Sequence, residues 1–211
     1  MEHAGIEIAP LDLMEPANLN EAAAVAVRAF QYDPFFVFLS PRPLLRARGL
    51  GLFWRSFLGG VGARGESFGA RLADGRLVGV AAWVRPGGYP LGVRSQLRQS
   101  AGAFWALWPE PRALRDGTKY LLAIEKVHPK EPLWYLALLV TDPSVQRTGI
   151  GTALQRPVLE RAEEEGLDCY LETQNPDNLA YYGRFGYEVT GELDPVENGP
   201  HLWTMRRPTR S

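Results

Sequence analysis

Residues Trp134 to Thr152 read WYLALLVTDPSVQRTGIGT, and this stretch decides the fold. Trp134 to Val140 is an unbroken apolar run, with Pro132 before it and Asp142-Pro143 after it, the pattern of a short strand buried on both faces. Ile150 to Glu165 then takes helical spacing with a charged outer side and stops at Gly166. Between the two lies Gln146-Arg147-Thr148-Gly149-Ile150-Gly151-Thr152. A strand, a glycine loop and a helix in that order set unpaired N–H groups and the positive end of the helix dipole where an anion can meet them. A side chain at Gly149 or Gly151 would hold a phosphate away from those amides. Two other phosphate loops are excluded by missing parts. No Lys-Ser/Thr pair follows, and Leu154 stands where a dinucleotide fingerprint has its third glycine.

Working outward toward the carboxyl terminus, Asp168 to Glu172 reads as a strand, Asn178 to Phe185 as a short helix, and Tyr187 to Leu193 and Leu202 to Arg206 as strands. This alternation predicts a sheet with at least one parallel pair, helices on its faces and a ligand at the strand ends. Toward the amino terminus, Ile6 to Ala9 alternates as a strand, and Asn18 to Phe30 is helical after an Asn-Leu-Asn start that supplies a cap. Asp33-Pro34-Phe35-Phe36 is read as a break, and Pro41 to Leu58 as a second amphipathic helix. Phe68 to Leu72 and Leu77 to Val84 flank Asp74-Gly75, a hairpin signal. Leu91 to Val127 is helical with breaks at Pro109 and Pro111, and Phe104, Trp105, Leu107 and Trp108 in it are read as core or as the wall of a substrate pocket. With no repeat or linker, residues 1–211 read as one domain.

Composition narrows the partner. A formal net charge of −1 gives no overall attraction to nucleic acid or to an anionic membrane, so a small molecule is expected. The single cysteine, Cys169, has no intramolecular disulfide partner, and His3, His128 and His201 lack metal-ligand spacing, so no metal is expected. No apolar run reaches the length of about 18 residues that suggests a membrane span, and no signal peptide precedes the first strand. A cytoplasmic protein is expected.

Farther along, Asn175-Pro-Asp-Asn178-Leu-Ala-Tyr-Tyr182-Gly-Arg-Phe-Gly186-Tyr187 follows Leu171-Glu172-Thr173. Together with the Q-x-x-G-x-G loop, this segment resembles the GNAT superfamily of N-acetyltransferases. Its downstream hallmark is an N-x-x-A-x-x-x-Y-x-x-x-G-F-like segment. Asn175, Tyr182, Gly186 and Tyr187 keep that spacing, whereas Asn178 replaces the small residue and Tyr187 the phenylalanine. The Asn178 substitution is similar to the puromycin N-acetyltransferase subgroup. So are Pro129-Lys-Glu-Pro132, Leu133-Trp-Tyr-Leu136, Pro157, Leu171-Glu-Thr173 and the ending Leu202-Trp203-Thr204-Met205. The chain before Pro129 matches only in layout.

The resemblance implies an α/β (α+β) fold, the GNAT fold, with a central mixed, mostly antiparallel, splayed sheet flanked by helices. It implies acetyl-CoA as co-substrate and a small-molecule amine as acceptor, in a monomer or homodimer. Leu138, Leu139 and Val140 would pair with the pantetheine arm, and Gln146, Arg147, Thr148, Gly149, Ile150, Gly151 and Thr152 would hold the pyrophosphate, with Asn175 and Asn178 also on the cofactor. Tyr182 would be the general acid for the leaving thiolate and a further contact to the cofactor. Glu172 is the first candidate for general base, with Glu131 or a water as alternatives. The Val140 N–H would polarise the thioester carbonyl. His128 and His201 fall outside the motifs and read as surface or packing residues, and Cys169 as a small buried hydrophobe. Phe30 to Phe36 and Leu91 to Leu122 would line the amine pocket. A non-catalytic acyl-CoA-binding module would keep the same loop without the chemistry.

Overall fold

The computed structural model describes residues 5–91 and 111–210. The helical reading from Leu91 to Pro109, with its cluster Phe104, Trp105, Leu107 and Trp108, lies outside the described residues apart from Leu91 itself. The described elements run β1 (Ile6–Pro10), α1 (Pro16–Phe30), α2 (Pro34–Leu39), α3 (Pro43–Gly62), β2 (Gly65–Leu72), β3 (Leu77–Val84), α4 (Pro111–Val127), β4 (Trp134–Thr141), α5 (Ile150–Glu165), β5 (Cys169–Thr173), α6 (Asp177–Gly183), β6 (Glu188–Leu193) and β7 (Leu202–Arg207).

Prolines start the amino-terminal helices. Each of α1, α2 and α3 has Pro at its first turn, where the missing N–H costs nothing and the fixed φ suits the helix. Two sequence expectations are corrected for this reason. α1 begins at Pro16, with Asn18 inside it donating to Glu15 Oε2 (3.0 Å) and to the Asp12 carbonyl (3.1 Å). α1 ends at Phe30 ahead of Asp33-Pro34, as the break expected there requires, but the same residues also start a helix that was not expected, since the Asp33 carboxylate accepts from the Phe35 N–H at 2.9 Å and opens α2. α3 likewise runs from Pro43 to Gly62 and not from Pro41 to Leu58.

Seven strands form one sheet in the order β1-β2-β3-β4-β5-β7-β6, antiparallel at every pairing but β4 with β5. That parallel pair, anticipated from the alternation, holds only at its start, with Trp134 opposite Cys169 and Tyr135 opposite Tyr170. Beyond it β4 continues on β3 as far as Thr141, and β5 continues on β7 as far as Thr173, so the two central strands part. The sheet is splayed at its middle.

One face packs α1 and α3 against Val80, Ala82, Val84, Leu138, Val140 and Tyr170. The other packs α5 against Ala81, Trp83, Leu136, Cys169 and Leu171, joined by Tyr182 and Tyr187. Gly79 allows the close approach of α5, because a Cβ there would lie 2.9 Å from Leu154 Cδ1 and 3.0 Å from Ile150 Cγ2. α5 continues through Pro157 without interruption. Every residue of β3 is buried, so it runs through the middle of the core.

Cys169 faces inward as the alternation predicted, fully buried, and burial pushes its thiol up to about 12. A maleimide or alkylating reagent at neutral pH is therefore expected to label the folded protein at a small fraction of the rate seen in denaturant. Equal rates would place the thiol at the surface.

Candidate active site

The cleft between β4 and β5 is built by a local irregularity. The β3–β4 register shifts between Ala82 and Trp83, opposite Leu138 and Leu136, so Ala137 is the extra residue of a bulge in β4. The bulge reverses which peptide groups face which neighbour. Before it, the Trp134 N–H donates toward β5, to the Asp168 carbonyl at 2.9 Å. After it, the Asp142 N–H donates to the Val78 carbonyl of β3 at 2.8 Å. Bonded pairs recur every second residue in an antiparallel ladder, which turns the peptide groups of Val140 and Leu138 toward β3 and those of Leu139 and Thr141 toward the cleft. The thioester role given to the Val140 N–H is corrected accordingly. Leu139 presents the free peptide group, while the Thr141 carbonyl already accepts from Gln146 Nε2 at 3.4 Å. Leu138 and Val140 are buried in the core.

The glycine loop follows from the end of β4. Gly149 is the N-cap of α5 with φ 87°, and Arg147 has φ 62°, so the chain turns sharply and aims the first amides of α5 outward. The first turn has no acidic residue and no side-chain cap, so among the described residues no capping side chain competes for the N–H groups of Ile150, Gly151 and Thr152. The Thr148 hydroxyl donates to the Val145 carbonyl at 2.7 Å, and Gln146, Arg147, Thr148 and Thr152 are exposed. Ile150 is buried, so only its backbone can serve a ligand.

Tyr181 completes this end of the cleft, and sequence reasoning missed it. A Cβ on Gly151 would lie 2.7 Å from the Tyr181 hydroxyl and 3.9 Å from Leu139 Cδ2, so loop, β4 and α6 converge at one point. Buried Gln155 ties them, donating from Nε2 to the Gly151 carbonyl at 3.1 Å and to the Tyr181 hydroxyl at 3.0 Å. Tyr182, its neighbour in α6, is 8% exposed, packs 5.1 Å from Tyr181 and 5.6 Å from Tyr187, and has no hydrogen-bond partner among the described residues. Burial holds its phenol well above the usual value. Asn175 and Asn178 brace the β5–α6 turn: Asn175 Oδ1 accepts from the Asp177 N–H at 3.0 Å, and Asn178 donates to the Thr173 hydroxyl at 2.9 Å.

Glu172 lies on the opposite face. Residues alternate along β5, so Leu171 shares the Tyr182 side and Tyr170 and Glu172 share the other. The Glu172 carboxylate sits 3.4 Å from His128 Nδ1, and both side chains are 4% exposed. His128 is thus buried and not at the surface. Its ring stacks on Tyr89 at 3.7 Å and meets Tyr135 and Tyr170 edge-on at 4.8 and 5.1 Å. A cavity of about 310 Å³ opens beside this cluster, lined among others by Tyr89, Glu125, His128, Leu133 and Tyr135. Glu131, the alternative base, is an exposed residue whose own backbone N–H and Arg206, at 2.6 Å, hold its carboxyl below the usual range. His201 pairs with Asp194 at 2.7 Å and stays at the surface side of β7. Phe30 and Phe36, in the segment expected to line the amine pocket, pack with Trp54 at 4.9 and 5.9 Å against the α1–α3 core.

Burial raises the phenols of this region first, and the Glu172 charge raises Tyr89, Tyr135 and Tyr170 further; Tyr89 and Tyr120 are pushed up to about 12. A raised folded-state value gives stability that is complete below the unfolded value of about 10 and is lost as pH rises through the folded value. The melting temperature is expected to fall steeply between about pH 10 and 12, together with the rise in tyrosinate absorbance. Titration of Tyr89, Tyr120, Tyr135 and Tyr170 near 10 before any unfolding would contradict this.

Among the described residues no cluster of His, Cys, Asp and Glu could hold a metal ion, and no helix is long and apolar enough to cross a membrane.

A model of the acetyltransferase (GNAT) family matches residues 31–187. The fold is similar to a Corynebacterium glutamicum structure described as histone acetyltransferase HPA2 and related acetyltransferase, with TM-score 0.68 and 25% identity over 98% of each chain. It is also similar in fold to arylalkylamine N-acetyltransferase 2 of Aedes aegypti, with TM-score 0.64 and 14% identity over 97% of this chain and 99% of that one. An acetyltransferase of Agrobacterium fabrum is 32% identical over 75 residues, which are 35% of this chain and 55% of that protein. The mycothiol acetyltransferase of Brachybacterium faecium is 37% identical over 68 residues, 29% of this chain and 20% of that protein. The chain thus spans about half of the first of these two relatives and a fifth of the second.

Proposed function

The chain belongs to the GNAT acetyltransferase family, and on that premise we propose that it is a single-domain enzyme that transfers an acetyl group from acetyl-CoA to the amine of a small molecule. Direct attack within a ternary complex is the route. The observation that carries the reading is that the Leu139 peptide group, unpaired among the described residues, and the uncapped first turn of α5 meet where the strands splay, with α6 and its Tyr181-Tyr182 pair beside them.

The residues fit the co-substrate. Loop Gln146 to Thr152 suits the pyrophosphate, since Gly151 puts no side chain beside the helix start, where a Cβ would meet the Tyr181 hydroxyl, and the first turn carries no acidic residue or side-chain cap. Leu139 offers its N–H and carbonyl to an amide-bearing pantetheine arm, as an added strand would, between the buried side chains of Leu138 and Val140. Asn175 and Asn178 act by shaping the turn that carries α6. Acetyl-CoA supplies an activated acyl group; the protein supplies orientation and proton control. Tyr182, protonated at neutral pH because it is buried, donates toward the sulfur as negative charge gathers there.

The acceptor enters from the Glu172 face, and the cavity of about 310 Å³ is its site. Aromatic walls from Tyr89 and Tyr135 beside the acid Glu125 favour an amine on an apolar or planar body. The motif resemblance to the puromycin N-acetyltransferase subgroup supports the same class of small amine acceptors. The protein works as a monomer or homodimer.

The test is thiol release from acetyl-CoA by purified protein against aminonucleosides, aminoglycosides, polyamines, arylalkylamines and peptides, with a parallel thermal-shift titration. Release with a small amine is expected. A thermal shift without release against any amine would favour a non-catalytic acyl-CoA-binding module.

A further inference from the structure

We propose that His128 takes the proton of the acceptor amine and that Glu172 positions it, an assignment that rests on the acyltransfer reading above. Three observations on the geometry converge. First, His128 lines the cavity beside the cleft, whereas Glu172 does not, so the imidazole stands between the carboxylate and any molecule bound there. Second, Nδ1 faces the Glu172 carboxylate at 3.4 Å, and Nε2 has no hydrogen-bond partner among the described residues. A carboxylate on Nδ1 favours the tautomer with the proton on that nitrogen and leaves Nε2 as acceptor. Third, the ring is fixed by Tyr89 stacked on one face and by the edges of Tyr135 and Tyr170. A ring held on three sides keeps the direction of its free nitrogen.

The chemistry favours this division of roles. An ordinary carboxylate, with a reference value of about 4.3, is a weak base at neutral pH, whereas an ordinary imidazole at about 6.5 is matched to it. An alkylammonium nitrogen must lose two protons in becoming an amide. His128 Nε2 accepts the first and passes it to solvent, and the neutral amine then forms the C–N bond as the C–S bond breaks. The second proton is lost as the amide forms and balances the one that the departing thiolate receives. The charged and titratable groups that face the ring or share its cavity are Glu172 and Tyr170 from β5, Tyr135 from β4, Tyr89 and Arg85 after β3, Glu125 from α4, and Lys130 and Glu131 after it. The cluster therefore sets the pH dependence as a unit.

The experiment compares His128→Gln and Glu172→Gln with the unmodified protein, using an amine found active in the thiol-release panel. kcat and kcat/KM are followed from acid to neutral pH, and acetyl-CoA binding by thermal shift. For His128→Gln the expected result is a loss of kcat of about 100-fold, an unchanged acetyl-CoA shift and no acid limb in the profile. For Glu172→Gln it is a loss of about tenfold with the acid limb displaced, since the carboxylate that faces Nδ1 is gone. A merely structural role would leave the limb in place. His128→Gln with unaltered turnover and limb would overturn the assignment alone. An unmodified protein that binds acetyl-CoA and acetylates no amine would overturn the acyltransfer reading and this assignment with it. If His128→Gln loses the acetyl-CoA shift through misfolding, the limb of Glu172→Gln decides, an unmoved limb counting against the proposal.

Discussion

Gly151→Glu abolishes acetyl-CoA binding, weakening it by more than about 100-fold, which corresponds to about 2.8 kcal/mol. Three effects add. The new Cβ meets the Tyr181 hydroxyl at 2.7 Å and displaces the ring that Gln155 holds. The longer side chain crowds the first α5 amides, whose turn carries no acidic residue and no side-chain cap. A carboxylate there repels the diphosphate it replaces. The acetyl-CoA thermal shift disappears while the unliganded melting temperature changes little, since the residue is at the helix entrance and outside the core clusters. Gly151→Ala separates the terms, because it shifts Tyr181 and adds no charge, and a loss of about tenfold or less is expected from it. Unchanged affinity in Gly151→Glu would remove the loop from the site.

Tyr182→Phe lowers kcat by about 100-fold and leaves KM for acetyl-CoA within a few-fold. The substitution preserves the ring contacts to Tyr181 and Tyr187 and removes a hydroxyl that no described protein group uses, so stability is expected to hold. What is lost is the donor to the departing sulfur. Because burial holds this phenol well above its usual value, it stays protonated through the neutral and mildly alkaline range. The unmodified enzyme should therefore show no alkaline fall in kcat from this group below about pH 10. Steady-state kinetics at saturating amine decide the matter, and turnover equal to the unmodified enzyme would make Tyr182 a packing residue.

The parts legible in the sequence are those written locally. A buried apolar run, a glycine pair and a helical pattern lie within Trp134 to Glu165, and each reports on its own backbone. The parallel pairing of β4 with β5 followed from the alternation of elements, and their splay from the family resemblance alone. The parts that escaped depend on chain segments meeting in space. His128 and Glu172 are 44 residues apart, on the end of a helix and on a strand, and no spacing rule joins them. Tyr181 and Tyr182 are adjacent and chemically alike, and only the orientation of α6 shows that one braces the loop and the other has no hydrogen-bond partner among the described residues. The bulge at Ala137 leaves no mark in an apolar run, yet it decides that Leu139 and not Val140 faces the cleft. Asp33-Pro34 was legible as a break and not as a start, because proline stops a helix from within and also starts one at its first turn.

The most direct test of the account follows the acetyl group itself. Protein is mixed with acetyl-CoA carrying a labelled acetyl group and an amine selected by the thiol-release panel, and amine product, free thiol and protein-bound label are measured over one turnover. The account predicts one acetylated amine for each thiol released and no label retained on the protein at any time. Label accumulating on the protein before product would contradict direct transfer, and bound acetyl-CoA with no labelled amine would contradict the enzymatic reading as a whole.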